Sequence, residues 1–107
     1  MADRKKLFLM PKARSDLEEI LDYISNSLLN PNAAKDLLND FDDAFERICV
    51  FPQSCPVIHN EFFKYKGIRK LLVNNYIVFY RIVDEIIQII RIMYARKNYI
   101  RLLKEQD

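Results

Sequence analysis

Two phenols and two cations crowd the stretch Tyr94-Ala95-Arg96-Lys97-Asn98-Tyr99. A tyrosine acts as acid or base near neutrality only where neighbouring positive charge lowers its reference pKa of about 10. Arg96 and Lys97 could supply that charge, so the cluster is the first candidate site. The same residues at a strand exit also make a solvated, capped helix start, and both readings stand at this stage. Four further cations, Arg69, Lys70, Arg81 and Arg91, interrupt aliphatic runs. A lone buried cation costs several kcal/mol, so each must be paired or reach solvent. One sheet face is therefore expected to be a working surface. Arg69 could stack on Tyr80 across a strand pair as a structural cation-π contact, or serve a partner. Lys70 reads equally as a solubilising edge lysine or as a functional cation.

Other reactive types carry less. His59 is the single histidine, sits in an irregular stretch, and has no residues around it at triad or metal spacing. The acidic run Asp40, Asp42, Asp43 and Glu46 reads as the wet face of a helix, since metal sites draw carboxylates from converging elements. Gly67 is the only glycine, which excludes a glycine-rich phosphate loop. No metal and no cofactor is expected.

The elements that position these residues follow from periodicity. Residues 5–10 form a short apolar run ended by Pro11, which suits both the end of a strand and the first turn of a helix. Leu17, Ile20, Leu21, Ile24 and Leu28 then recur at helical spacing, predicting a helix over residues 12–29. Asn30-Pro31 caps a second, over which Ala34, Leu37, Leu38, Phe41, Ala44, Phe45 and Ile48 mark the apolar face up to Val50. So short a link makes the pair an antiparallel hairpin. Periodicity vanishes from Phe51 to Lys66, a loop marked by Pro52, Ser54, Pro56 and Asn60. Asn74-Asn75 then predicts a tight hairpin between residues 68–73 and 76–83, and Asp84-Glu85 leads into a third strand over 86–94.

The expected fold class is α+β: an N-terminal strand, an antiparallel helical hairpin, then a three-stranded antiparallel meander, with the helices packed on one sheet face. Two-residue turns pair position 73 with 76 and 83 with 86. Strict alternation then puts Lys70, Leu72, Ile77, Phe79, Arg81, Gln88, Ile90, Ile92 and Tyr94 on one face, and Arg69, Leu71, Val73, Tyr76, Val78, Tyr80, Ile87, Ile89, Arg91 and Met93 on the other. Arg91 falls opposite Val78 in this register. Both faces are largely apolar and two helices cover only one. The second is expected to be an exposed groove or the docking site of another chain, and a partner polypeptide is predicted there.

With 107 residues, half of them apolar, the chain reads as one domain over 1–107. No stretch approaches the roughly 20 apolar residues of a membrane span, and the amino-terminal apolar run is too short for a signal peptide. Cys49 and Cys55 accordingly read as reduced thiols in a cytoplasmic protein. Residues 1–63 carry 7 basic and 11 acidic side chains, a net of −4, while residues 64–107 carry 10 and 4, a net of +6. The basic half suggests a phosphate or an acidic protein as partner.

The order and spacing of several segments together carry a resemblance. These are Ala13-Arg-Ser-Asp-Leu-Glu-Glu-Ile-Leu-Asp-Tyr-Ile24, Ala44-Phe-Glu-Arg-Ile48, Phe51-Pro52, Gly67-Ile-Arg-Lys70, Asn75-Tyr-Ile-Val-Phe-Tyr-Arg-Ile82 and Ile89-Ile-Arg-Ile-Met-Tyr-Ala-Arg-Lys-Asn-Tyr99. Over nearly its whole length the chain resembles the RelE/ParE superfamily of toxins from bacterial type II toxin-antitoxin pairs. The resemblance implies a growth inhibitor neutralised by a cognate antitoxin that wraps around it. It leaves two targets: ribosome-bound mRNA, cut by RelE-like endoribonucleases, or DNA gyrase, poisoned by ParE-like members. A catalytically inactive member acting only as a protein-binding module is the alternative.

RNA cleavage by a 2′-hydroxyl needs a base, cations at the crowded phosphate and an acid for the leaving oxygen. By resemblance, Lys70 takes a strand lysine position, Arg96 or Lys97 the basic position after the last strand, and Tyr94 or Tyr99 the tyrosine. Arg81 is a further candidate, and Arg69 and Arg91 are the candidate antitoxin-binding residues. Two positions depart from the RelE pattern. Ile77 replaces an arginine and Ile68 a lysine, while the stretch from Asp16 to Tyr23 and the strand Val78-Phe-Tyr-Arg-Ile82 look more like ParE. Arg81 shares a predicted face with Ile77, but four residues along a strand is about 13 Å, too far to serve the same phosphate.

Overall fold

The computed structural model describes residues 4–59 and 65–96. Its elements are β1 (Lys6–Leu9), α1 (Pro11–Asp22), a π-helical turn (Tyr23–Ser27), α2 (Pro31–Val50), β2 (Arg69–Val73), β3 (Tyr76–Val83) and β4 (Ile86–Tyr94). The sheet order is β1-β4-β3-β2, with β1 parallel to β4 and the other pairs antiparallel. This is the expected α+β class. Pro11 occupies the first turn of α1, and the Asn30 side chain accepts from the Ala33 amide at 3.1 Å to cap α2. The first helix departs from the expectation at its end: beyond Asp22 the backbone widens into the π turn, and Leu29 closes the hairpin at a φ of 52°.

The helical hairpin covers one sheet face. Leu37, Phe41, Ala44, Phe45 and Ile48 of α2 bury against Leu71, Val73, Val78, Tyr80, Ile87, Ile89 and Ile92. Both two-residue turns form as expected, pairing Val73 with Tyr76 and Val83 with Ile86. Asp84 and Glu85 both hold positive φ, 49° and 68°, the left-handed pair a tight turn between twisted strands requires.

The register past Ile89 differs from strict alternation. Tyr80 pairs with Ile89 but Phe79 pairs with Arg91, so β4 carries one extra residue, Ile90, as a β-bulge. The bulge exchanges the faces of the residues that follow it. Ile92 joins the helix-covered core and the Tyr94 ring lies 5.7 Å from that of Tyr76, while Met93 clusters with Ile77, Phe79 and Ile90 on the second face. Arg91 therefore lies opposite Phe79, not Val78.

The second face is not an exposed apolar groove. Ile68, Ile77, Phe79, Ile90 and Met93 are buried there, with Met10, Ile58 and Tyr65 packed against them. The 51–59 loop is fastened to this edge of the sheet by bonds from the Ile58 amide to the Ile68 carbonyl and from the Lys70 amide to the Pro56 carbonyl.

Candidate functional site

The arginines within the sheet are answered inside the chain. Arg69 sends Nη1 to the Cys55 carbonyl at 2.7 Å, and its strand partner Tyr80 donates its hydroxyl to the Pro52 carbonyl at 2.8 Å. Together they staple the loop after α2 onto the sheet, so Arg69 spends its guanidinium on loop carbonyls. Burial of the Tyr80 ring pushes its hydroxyl well above the ordinary phenol range. Arg81 donates Nε to Gln88 at 2.9 Å and places its guanidinium 4.2 Å from the Tyr65 ring centre. Cys49 is buried, Cys55 half-buried, and both are free thiols.

Arg91 has the most specific partner. Asp16 of α1 takes Arg91 Nε at 2.7 Å and Nη2 at 3.0 Å in a bidentate pair, and its Oδ2 also accepts the Ile92 amide at 2.9 Å. The reason is topological. β1 ends at Leu9 and α1 begins at Pro11, so β1 covers β4 only as far as Ile89. Beyond that point no strand among the described residues lies beside the edge of β4, and Asp16 accepts an amide proton a strand would have taken.

Alongside this pair lies a cleft of about 580 Å3 between α1 and the C-terminal end of β4. Asp16, Glu19, Ile20 and Tyr23 line it from the helix side, and Tyr76, Arg91, Ile92, Met93 and Tyr94 from the sheet. Burial, with the Tyr94 and Tyr23 phenols nearby, raises the Tyr76 pKa. A proton-abstracting tyrosine needs the opposite direction.

Among the described residues the sequence candidates are spread along the sheet. Tyr94 and Arg96 lie beside the Asn74-Asn75 turn, where the Ala95 amide bonds the Asn75 carbonyl. Lys70 pairs with Phe79, and Arg81 lies two residues further along β3 on that face, so the two occupy diagonal positions whose backbones are roughly 7–8 Å apart. Arg81 pairs with Gln88, six residues before Tyr94, so the two groups stand about 20 Å apart along the sheet. Lys97 and Tyr99 lie outside the described residues. Sequence reasoning missed Asp16, Glu19, Tyr23 and Tyr76 as site residues. Their signal was present: 16, 19, 20 and 23 recur at helical spacing, a stripe ending in a tyrosine. Among the described residues, no group of three or more His, Cys, Asp or Glu side chains is arranged to hold a metal.

The architecture, a helical hairpin on a sheet whose first strand runs parallel to its last, is that of toxin-antitoxin proteins of known structure. One is the chromosomal ParDE system of P. aeruginosa, at a TM-score of 0.70 and 22% identity, with 89% of this chain and 100% of that chain covered. Another is the toxin-antitoxin complex RelBE2 of Mycobacterium tuberculosis, at 0.59 and 20% identity, covering 85% and 98%. The class is thus the RelE/ParE fold. The family model described as the ParE toxin of the type II toxin-antitoxin system, parDE, matches residues 7–99, and this chain belongs to that family. No curated protein matches it in sequence.

Proposed function

We propose that this chain is the toxin of a cytoplasmic type II pair, that a cognate antitoxin neutralises it, and that the free toxin arrests growth by binding DNA gyrase rather than by cutting ribosome-bound mRNA. The observation that carries this reading is the fate of the two positions where RelE-like enzymes hold cations. Ile68 and Ile77 are 1% and 3% exposed, packed into the second core with Phe79 and Met93. A cation there would be buried among aliphatic side chains, at a cost of several kcal/mol. Tyr94 stands at one end of the sheet, Lys70 pairs with Phe79 near its middle and Arg81 with Gln88 toward the other end, which spreads these candidates along the strands. A gyrase poison needs none of this convergence; it needs a surface.

The proximity of Lys70 to Arg81 favours a second reading, an RNase built from those two cations. Two assays on the purified chain separate the readings. In the first, gyrase supercoils relaxed plasmid in the presence of ATP and the products are scored for lost supercoiling and trapped linear DNA. In the second, ribosomes translate a defined mRNA and primer extension scores new 5′ ends. The proposal requires the first to respond and the second to stay silent. New 5′ ends with unaffected gyrase overturn it in favour of the RNase. Silence in both points to an inactive member that only binds protein.

A further inference from the structure

We infer that the cleft between α1 and the end of β4 is a receptor for an arginine side chain presented by the antitoxin, an assignment that rests on the antitoxin reading above. Three phenol rings stand around it, with Tyr76 half-buried, Tyr23 56% exposed and Tyr94 38% exposed. Exposed aromatic faces on a chain this small attract cations through the ring quadrupole.

The charge around the cleft selects the sign of the ligand. Asp16 and Glu19 contribute two carboxylates and Arg91 one cation. Asp16 is occupied by Arg91 and the Ile92 amide, whereas the Glu19 side chain has no ion pair or hydrogen bond among the described residues. A phosphate would meet the Glu19 carboxylate, which disfavours it. A guanidinium would find one open carboxylate for a two-pronged contact and tyrosine faces on which its plane can stack. A lysine ammonium, a compact hydrated charge, matches the flat faces less well.

The cleft has room for more than the guanidinium. About 580 Å3 is more than one guanidinium fills, and Ile20, Ile92 and Met93 give the remainder an apolar floor for the residues flanking the arginine. Of the partners proposed above, mRNA is a polyanion that such a site disfavours, and gyrase is met only by toxin already released from its antitoxin. The antitoxin is the partner that must cover this toxin in its resting state.

The test titrates the full chain with arginine amide and, separately, with citrulline amide, the uncharged isostere, following tyrosine ring resonances by NMR. Arginine amide is expected to shift the rings of Tyr23, Tyr76 and Tyr94 saturably, and citrulline amide at least about tenfold more weakly. Glu19→Gln and Tyr23→Leu, both surface changes on α1 and its π turn, are each expected to weaken arginine amide about 3- to 10-fold while leaving the backbone amide spectrum folded. Equal response to the two amides, or no response, overturns the inference. In cells, Glu19→Gln is expected to need several-fold more co-expressed antitoxin for neutralisation; an unchanged requirement overturns the assignment to the antitoxin. A chain that never arrests growth would sink the toxin reading while the amide titration still decides the cleft.

Discussion

Removing the Asp16 carboxylate should destabilise the protein more than any other single surface-facing change in α1. Asp16→Ala deletes two bonds to a guanidinium and one to a backbone amide at once. The side chains of Arg91 and Asp16 are only 16% and 13% exposed, so little water replaces what is lost. Breaking a buried pair by deleting one partner costs about 3–5 kcal/mol. With the residual exposure, about 3 kcal/mol is expected here, or roughly 10–15 °C in the melting temperature of a chain this size. Asp16→Asn keeps an acceptor for the Ile92 amide and should cost about half as much. Arg91→Met alone leaves Asp16 its amide bond, and adding Asp16→Asn to it should cost little more, giving a coupling approaching about 1.5 kcal/mol in the double-mutant cycle. Urea denaturation at constant m-value measures all four species. A cost below about 1 kcal/mol for Asp16→Ala, or additive single costs, would refute the claim that Asp16 closes the edge of β4 and holds Arg91.

The remaining predictions follow from the turns and the stapled loop. Glu85→Gly should stabilise by about 0.5–1 kcal/mol, because the φ of 68° strains a residue with a Cβ, and the exposed ion pair to Lys5 that it forfeits is worth little; a lower urea midpoint would contradict this. Arg69→Ala should cost about 1–2 kcal/mol by orphaning the Cys55 carbonyl, and limited proteolysis should then cut between residues 53 and 59. Tyr80→Phe should cost about 1 kcal/mol at neutral pH through the lost bond to Pro52. The raised pKa values of Tyr80 and Tyr76 make stability fall at alkaline pH: the unfolded phenols lose protons from about pH 10 while the folded ones retain theirs, so the stabilisation is complete below that pH and declines above it. Tyr80→Phe should flatten that decline by up to about 1.4 kcal/mol per pH unit, read from urea midpoints at about pH 9 and pH 11.

Much of this architecture was legible in local pattern. Both hairpin registers follow from two-residue turns, and the cap at Asn30 and the apolar stripe of α2 follow from spacing. The parallel pairing of β1 with β4 was not legible, since no local signal joins Lys6 to Ile86 across the whole domain. The bulge at Ile90 was hidden because Ile86-Ile87-Gln88-Ile89-Ile90 stays aliphatic whichever way it alternates, and every face assignment after it was consequently exchanged. The misfit of arginines in aliphatic strands was a sound signal with an incomplete conclusion. Arg69, Arg81 and Arg91 are paired within the chain, to loop carbonyls, to Gln88 and Tyr65, and to Asp16, instead of forming one open working face. The candidate site was visible only at Tyr94 and Arg91. Its helix-side wall comes from α1 and the π turn, whose polar residues the sequence offered merely as a wet face, and only the tertiary approach of α1 to β4 turns them inward.

The central claim is that this member of the ParE family acts on DNA topology and not on mRNA. Expressing the chain without antitoxin in a bacterial host, with thymidine and amino-acid incorporation followed separately after induction, tests it most directly. Thymidine incorporation should fall first, with protein synthesis continuing for a time. Amino-acid incorporation that stops first would contradict the account and return the active role to a cation pair such as Lys70 and Arg81.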